Sequence, residues 1–239
     1  MRTMFKCLVH TVVLSLSLNV AYAQRLAKDI QDDFLRKGPE VVALADLAPG
    51  MVVADVFGGG GYYSELISQQ VGQSGKVYLH NNRAYLPYVD KELTERLTGN
   101  RLPNVIRHDK EAGDLAFKPQ SLDVIFYVLG YHDLYYKADG WDIDKDVFLK
   151  QLNQALKSDG TLLIVDHEAP KGSRTEKSQS LHRIEKSYVI EELKKYGFEL
   201  VSSSELLANQ QDNLTVSALA PSIRRKTSRF ILIFKKAQL

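Results

Sequence analysis

Residues 52–64 read Val52-Val53-Ala54-Asp55-Val56-Phe57-Gly58-Gly59-Gly60-Gly61-Tyr62-Tyr63-Ser64, and this stretch decides the fold. An apolar run ends in an acidic residue, passes through four glycines and opens into a helical pattern. Such a pattern marks a buried parallel strand turning into a helix beside a nucleotide-like ligand. Glycine suits the turn because a Cβ would fill the space through which backbone approaches ligand. The spacing argues against a dinucleotide. That turn needs a third glycine or alanine three residues after the second. Counted from Gly58 and Gly60 the position holds Tyr63; counted from Gly59 and Gly61 it holds Ser64.

Outward from this turn, strand-like and helix-like patterns alternate, which predicts a mostly parallel sheet with helices on both faces. Residues 30–47 read as helical, broken by Gly38-Pro39. Residues 51–57 form the first strand, and 62–71 the first crossover helix, closed by Gly72. A strand over 76–80 and a helix over 85–97 follow, then strands over 104–108 and 122–129. The 122–129 run is unbroken and apolar, as for a strand covered on both sides. A helix over 146–156 stops at Ser158-Asp159-Gly160, before a strand over 161–165 that ends in Asp166. A helix over 183–196 stops at Gly197, ahead of strands over 198–202 and 229–235. The last two strands lack a crossover helix between them, so the final strand is expected to run antiparallel. Two segments, 168–182 and 203–228, are long for simple connections and are expected near a ligand site.

The beginning of the chain reads as an address. Arg2 and Lys6 precede an apolar stretch over 8–18, and Ala21-Tyr22-Ala23 is a small-x-small cleavage site. The apolar part is too short to span a bilayer comfortably. The expectation is a signal peptide over 1–23, a single domain over 24–239 and a periplasmic or secreted location. Removing the leader takes away two of the 31 Lys+Arg residues and none of the 29 Asp+Glu, leaving the charges balanced. That balance gives no support to a nucleic-acid partner. The single cysteine, Cys7, falls in the leader, so no disulfide, thiolate nucleophile or cysteine metal site is expected in the domain.

Asp55 followed by Gly59 and Gly61 resembles the first motif of S-adenosylmethionine-dependent methyltransferases of class I, acidic-x-Gly-x-Gly-x-Gly. The resemblance covers nearly all of residues 40–236 and implies a Rossmann-like, seven-stranded α/β domain. Phe57 stands at the motif's first glycine position. The resemblance implies that Asp55 engages the amino-acid end of the cofactor, with Phe57, Gly58, Gly59, Gly61 and Tyr62 around it. The second motif expects an acidic residue at the end of the second strand, gripping the ribose hydroxyls; here Asn81 follows His80. The third implies an adenine contact from Asp109, with Glu111 as a rival.

More narrowly, the chain resembles bacterial signal-peptide-bearing methyltransferase-like proteins of unassigned substrate. The carriers are Ala54-Asp55-Val56-Phe57 with its glycines, Tyr131-His132-Asp133-Leu134-Tyr135, Val165-Asp166-His167, Leu181-His182-Arg183 and the tail from Arg224-Arg225-Lys226 to Arg229-Phe230. His132 and Asp133 end one strand, and Asp166 and His167 the next, at the sheet edge where ligands sit in such folds. Titratable side chains at adjacent strand ends can orient a nucleophile and take its proton, which makes these four the catalytic candidates. Methyl transfer is a displacement that positioning alone can accelerate, so no base is obligatory. His182 and Arg183 read as loop anchors.

His132, His167, Asp166 and His182 offer imidazole and carboxylate, but no local spacing such as His-Glu-x-x-His supports a metal, and none is expected. The acidic run from Asp139 to Asp146 fails a calcium-loop reading, because position 147 is valine and 153 asparagine. Tyr62-Tyr63 and Tyr135-Tyr136 could stack on a flat ligand or fill core. The basic cluster of Arg224, Arg225, Lys226 and Arg229 reads as a solvated face. The leading expectation is an S-adenosylmethionine-dependent enzyme acting on a small molecule outside the cytoplasm. Two readings stay open beside it: a binding protein that keeps the fold without catalysis, and a hydrolase or metal enzyme using the His/Asp cluster.

Overall fold

The computed structural model describes residues 25–237. The expected leader over 1–23, with Cys7, lies outside them. Strands β1 (Val52–Val56), β2 (Lys76–Asn81), β3 (Val105–Asp109), β4 (Leu122–Val128), β5 (Leu156–His167), β6 (Phe198–Ser204) and β7 (Arg229–Lys236) form one sheet in the order β3-β2-β1-β4-β5-β7-β6. The first five pair in parallel; β7 runs antiparallel between β5 and β6. This is the mostly parallel, seven-stranded sheet with an antiparallel last strand that the sequence predicts.

The described residues hold seven α-helices, two of them ahead of β1: α1 (Ala27–Arg36), α2 (Gly38–Ala43), α3 (Tyr62–Val71), α4 (Leu86–Leu97), α5 (Lys145–Ala155), α6 (Ser178–Leu181) and α7 (Lys186–Lys195). Successive strand residues point to opposite faces. Ala54, Val56, Ile125, Tyr127, Leu162 and Ile164 therefore meet Phe148, Leu152, Val189 and Leu193 on one face. Val53, Val124, Phe126, Leu163 and Val165 meet Val41, Leu66, Ile67, Leu79 and Leu93 on the other. Both faces are apolar, which is why the central strands read as continuous runs.

Three boundaries differ from the sequence expectation. Strand β5 begins at Leu156, where a helix end and a turn were expected. Leu156 pairs with Leu122 and Thr161 with Val124, so residues 157–160 form a bulge that the alternation of side chains does not announce. Lys157 on this bulge pairs with Asp123 at 2.5 Å. Helix α7 begins at Lys186, not at 183, because Ile184 bridges to Glu168 and Arg183 is spent on the carbonyls of Val216 and Glu168 and on Asp212. The expected helix over 85–97 starts as a 3-10 turn over Arg83–Tyr85.

Candidate active site

At the carboxyl ends of β1, β4 and β5 lies a cleft of about 730 Å³. Its wall near β1 is the glycine turn. Asp55, the fourth residue of β1, is buried, and its Oδ2 accepts from Ser64 Oγ at 2.7 Å. Its Oδ1 has no partner among the described residues. Burial pushes the Asp55 carboxyl up to about 6, against the pull of Ser64 and of Arg96. A buried carboxylate with an unused oxygen, on a cleft wall, is a receptor for a cation.

The turn is built around that carboxylate. A Cβ on Gly58 would stand 2.6 Å from Asp55 Oδ2, so only glycine leaves the carboxyl its place. Gly61 caps α3 at φ 81°, in the left-handed region that glycine enters freely. Beneath the turn, the buried Arg96 donates to the Gly60 carbonyl at 2.5 Å and to Asp29 at 2.6 Å, and it also bonds Glu65. Phe57 takes φ 52°, the conformation that explains glycine at this position of the motif. Packing holds it there. Its ring stacks on Phe148 at 5.4 Å and meets Trp141 at 5.2 Å, and its N–H donates to His80 Nδ1 at 3.3 Å. That bond makes Nδ1 the acceptor, so His80 Nε2 donates to the Lys110 carbonyl at 2.9 Å. Burial holds His80 neutral, with its pKa down at about 3.

Across the cleft, Asp166 collects three donors. Its Oδ2 takes the His132 N–H at 2.8 Å; its Oδ1 takes the His167 N–H and the His132 ring Nδ1, each at 2.7 Å. His132 is thereby fixed, with Nε2 left 3.2 Å from Asp133 Oδ1. Burial works against charge on His132, but Asp166 and Asp133 outweigh it and raise its pKa to about 10. Burial would lift Asp133; His132 and His182 reverse this and bring it to about 2. His167 lies well below its ordinary value through burial and the nearby cations His132, Arg229 and Arg183, and its Nδ1 meets Thr227 Oγ1 at 2.8 Å.

Of the residues singled out by sequence, Asp55, Phe57, Gly58, Gly59, Tyr62, His132, Asp133 and His167 line the cleft together. Four are placed otherwise. Asp166 sits behind His132 as its support, and Gly61 is packed against Leu79 and Arg96 beneath the turn. Asn81 is fully buried; its Oδ1 accepts from Gly59 N–H and its Nδ2 donates to the Gly59 carbonyl, both at 3.0 Å. Its amide shapes the turn, and the side chain is not on the cleft lining. Asp109 sits outside the cleft lining, where its Oδ2 takes Arg107 Nε at 2.6 Å. The rival Glu111 pairs at 3.6 Å with Arg83, and both are exposed.

The structure also adds residues that the sequence reading left aside. His182, at the end of α6, reaches the cleft, whereas its neighbour Arg183 is indeed a loop anchor. Trp141 and Tyr85 extend the aromatic wall begun by Phe57, with 6.3 Å between their rings. Arg36, Arg224, Arg225 and Arg229 line the cleft as well, so part of the basic tail faces a ligand space and not only solvent. The tail's return through residues 203–228 was the available signal.

No family model matches the chain. It is 28% identical over 142 residues to the ubiquinone/menaquinone biosynthesis C-methyltransferase UbiE of Teredinibacter turnerae, covering 59% of this chain and 53% of that one. The chain thus spans about half the length of the curated relatives it matches. Its fold superposes on a SAM dependent methyltransferase of Aquifex aeolicus with a TM-score of 0.61 and 23% identity, covering 88% of this chain and 97% of that one. The [4+2]-cyclase SpnF shares the fold at a TM-score of 0.57 and 14% identity, covering 85% and 80%. In sequence and in fold the chain resembles the class I S-adenosylmethionine-dependent methyltransferases, whose fold it carries.

Proposed function

We propose that this chain is a methyltransferase that binds S-adenosylmethionine and methylates a small molecule. The observation that carries the reading is the unused, buried Oδ1 of Asp55 beside a glycine turn at the end of β1. The cofactor's amino-acid end carries the ammonium that such an oxygen accepts. Similarity to named methyltransferases supports the same cofactor. When bound, S-adenosylmethionine supplies an electrophilic methyl group.

The chain's own residues then bind, orient and exclude water. Asp55 fixes a cation at one end of the cleft, and Phe57, Trp141 and Tyr85 offer flat apolar faces beside it. At the other end, in the metal-free chain, Asp166 and Asp133 keep His132 charged near neutral pH, so its Nε2 donates toward Asp133 and does not accept a proton. Asp133 and His167 stand beside it as further groups that can orient a methyl acceptor. The four arginines of the lining share it with Asp55, Glu92, Asp133 and Asp139, and Arg36 and Arg225 pair with Asp32, so charge alone selects no acceptor. A cleft of about 730 Å³ suits a cofactor and a small acceptor together. The leader pattern over 1–23 supports a place outside the cytoplasm for this chemistry.

Methyl-labelled S-adenosylmethionine, incubated with the purified chain and the small-molecule fraction of a bacterial extract, tests the reading. Label should pass into a low-mass product with the native chain and not with Asp55→Ala. Cofactor binding without any transfer across such fractions would favour the non-catalytic reading.

A further inference from the structure

We propose that His132, Asp133 and His182 form a binding site for a first-row divalent transition metal on the cleft wall, with Asp166 as the carboxylate that orients His132. The site draws on two distant segments: His132 and Asp133 follow β4, and His182 ends α6. One ligand atom from each lies within 4.8 Å of the others. Asp133 Oδ1 stands 3.2 Å from His132 Nε2 and 3.8 Å from His182 Nδ1. An ion held at about 2.0–2.2 Å by each ligand requires them to be roughly 3 Å apart. The first pair already meets that distance, and His182 needs to close on Asp133 by less than about 1 Å.

Two further features fit a metal better than an ion pair alone. The first is the bond from His132 Nδ1 to Asp166 Oδ1 at 2.7 Å, which commits one ring nitrogen and leaves Nε2 for a ligand role. Metal-bound histidines are held by a carboxylate or carbonyl in this way. The second is His182 itself. Asp133 is flanked by two imidazoles, His132 at 3.2 Å and His182 at 3.8 Å, the second beyond hydrogen-bond length. His182 is held there in the left-handed region, at φ 51° and ψ 50°, with its ring 4.9 Å from that of Tyr136.

Two imidazoles and one carboxylate suit zinc or ferrous iron, and three protein ligands leave coordination positions open. Those positions face a cleft lined by the same three residues. They would take an oxygen of the small molecule bound there, a hydroxylate or a carboxylate. Metal binding at Nε2 displaces the proton that this nitrogen carries in the metal-free chain. The site stands whether or not a methyl group is transferred.

The test is a titration of the EDTA-stripped, purified chain with Co²⁺, followed by its visible d–d absorption. One ion per chain should bind, Zn²⁺ should displace it, and His182→Ala and Asp133→Asn should each weaken binding roughly tenfold or more. In EDTA Asp133→Asn also loses the ion pair with His132 and should unfold below the native temperature, so its stability is read apart from its Co²⁺ affinity. Should either fold poorly, the native chain decides: Co²⁺ must broaden the ring resonances of His132 and His182 and spare His80. Absence of stoichiometric binding, unchanged affinity in His182→Ala, or broadening that spares the rings of His132 and His182 would overturn the site. Binding of S-adenosylhomocysteine in EDTA reports on the cofactor separately.

Discussion

Asn81 and Gly59 exchange two hydrogen bonds, each of 3.0 Å, from the amide of one to the backbone of the other. The strand that ordinarily ends in a ribose-gripping acid thus ends in the residue that sets the glycine turn. Asn81→Asp, which would restore the acidic residue implied by resemblance, should weaken the chain. It removes the donor to the Gly59 carbonyl and sets a buried carboxylate against it, at a cost of about 1–3 kcal/mol. Urea denaturation should show the loss, and cofactor affinity should not improve.

Phe57 offers a second test of the turn. Its φ of 52° costs about 1–2 kcal/mol relative to glycine, while its buried ring is worth about 3–5 kcal/mol of packing. Phe57→Gly should therefore lower stability by about 1–4 kcal/mol, despite matching the motif better. A gain in stability would show that Phe148 and Trp141 do not hold the ring as described.

Asp55 carries a pH signature. Its carboxyl titrates at about 6, against 3.8 for the free group, so the folded chain keeps a proton that the unfolded chain has already lost. Stability from this group is therefore lost as pH rises between these values, by about 1–3 kcal/mol in total. In the ligand-free chain Asp55→Asn should raise the melting temperature at pH 8 and leave it nearly unchanged at pH 4. Cofactor affinity of the native chain should rise with pH through 6, because the ammonium needs the ionised carboxylate.

Gly58→Ala tests space rather than conformation. The added methyl would meet Asp55 at 2.6 Å and has to displace its carboxyl. Cofactor affinity should fall at least as far as in Asp55→Asn, with a stability cost of about 1–3 kcal/mol. Calorimetry and thermal unfolding on one preparation separate the two effects.

The fold was legible wherever burial follows a simple period. The run from Val124 to Val128 is covered on both faces, and Tyr62 to Val71 is bounded by Gly61 and Gly72, so the strand and helix there were readable. The early start of β5 was not, because Lys157, Ser158, Asp159 and Gly160 read as a turn and only pairing across a bulge places them in the sheet. The glycine turn and Asp55 were readable from local spacing. The role of Asn81 was not, since strand-end position says nothing about which way an amide bonds. The meeting of His182 with Asp133 was hidden for another reason. It is closed by α6 and the loop before it, where no periodic pattern fixes how the chain returns.

Calorimetric titration of the purified chain with S-adenosylmethionine and S-adenosylhomocysteine at pH 8 bears most directly on the central claim. Both should bind with one site per chain, and Asp55→Ala should abolish the heat while the protein stays folded. No heat and no thermal shift with either ligand at millimolar concentration would contradict the account.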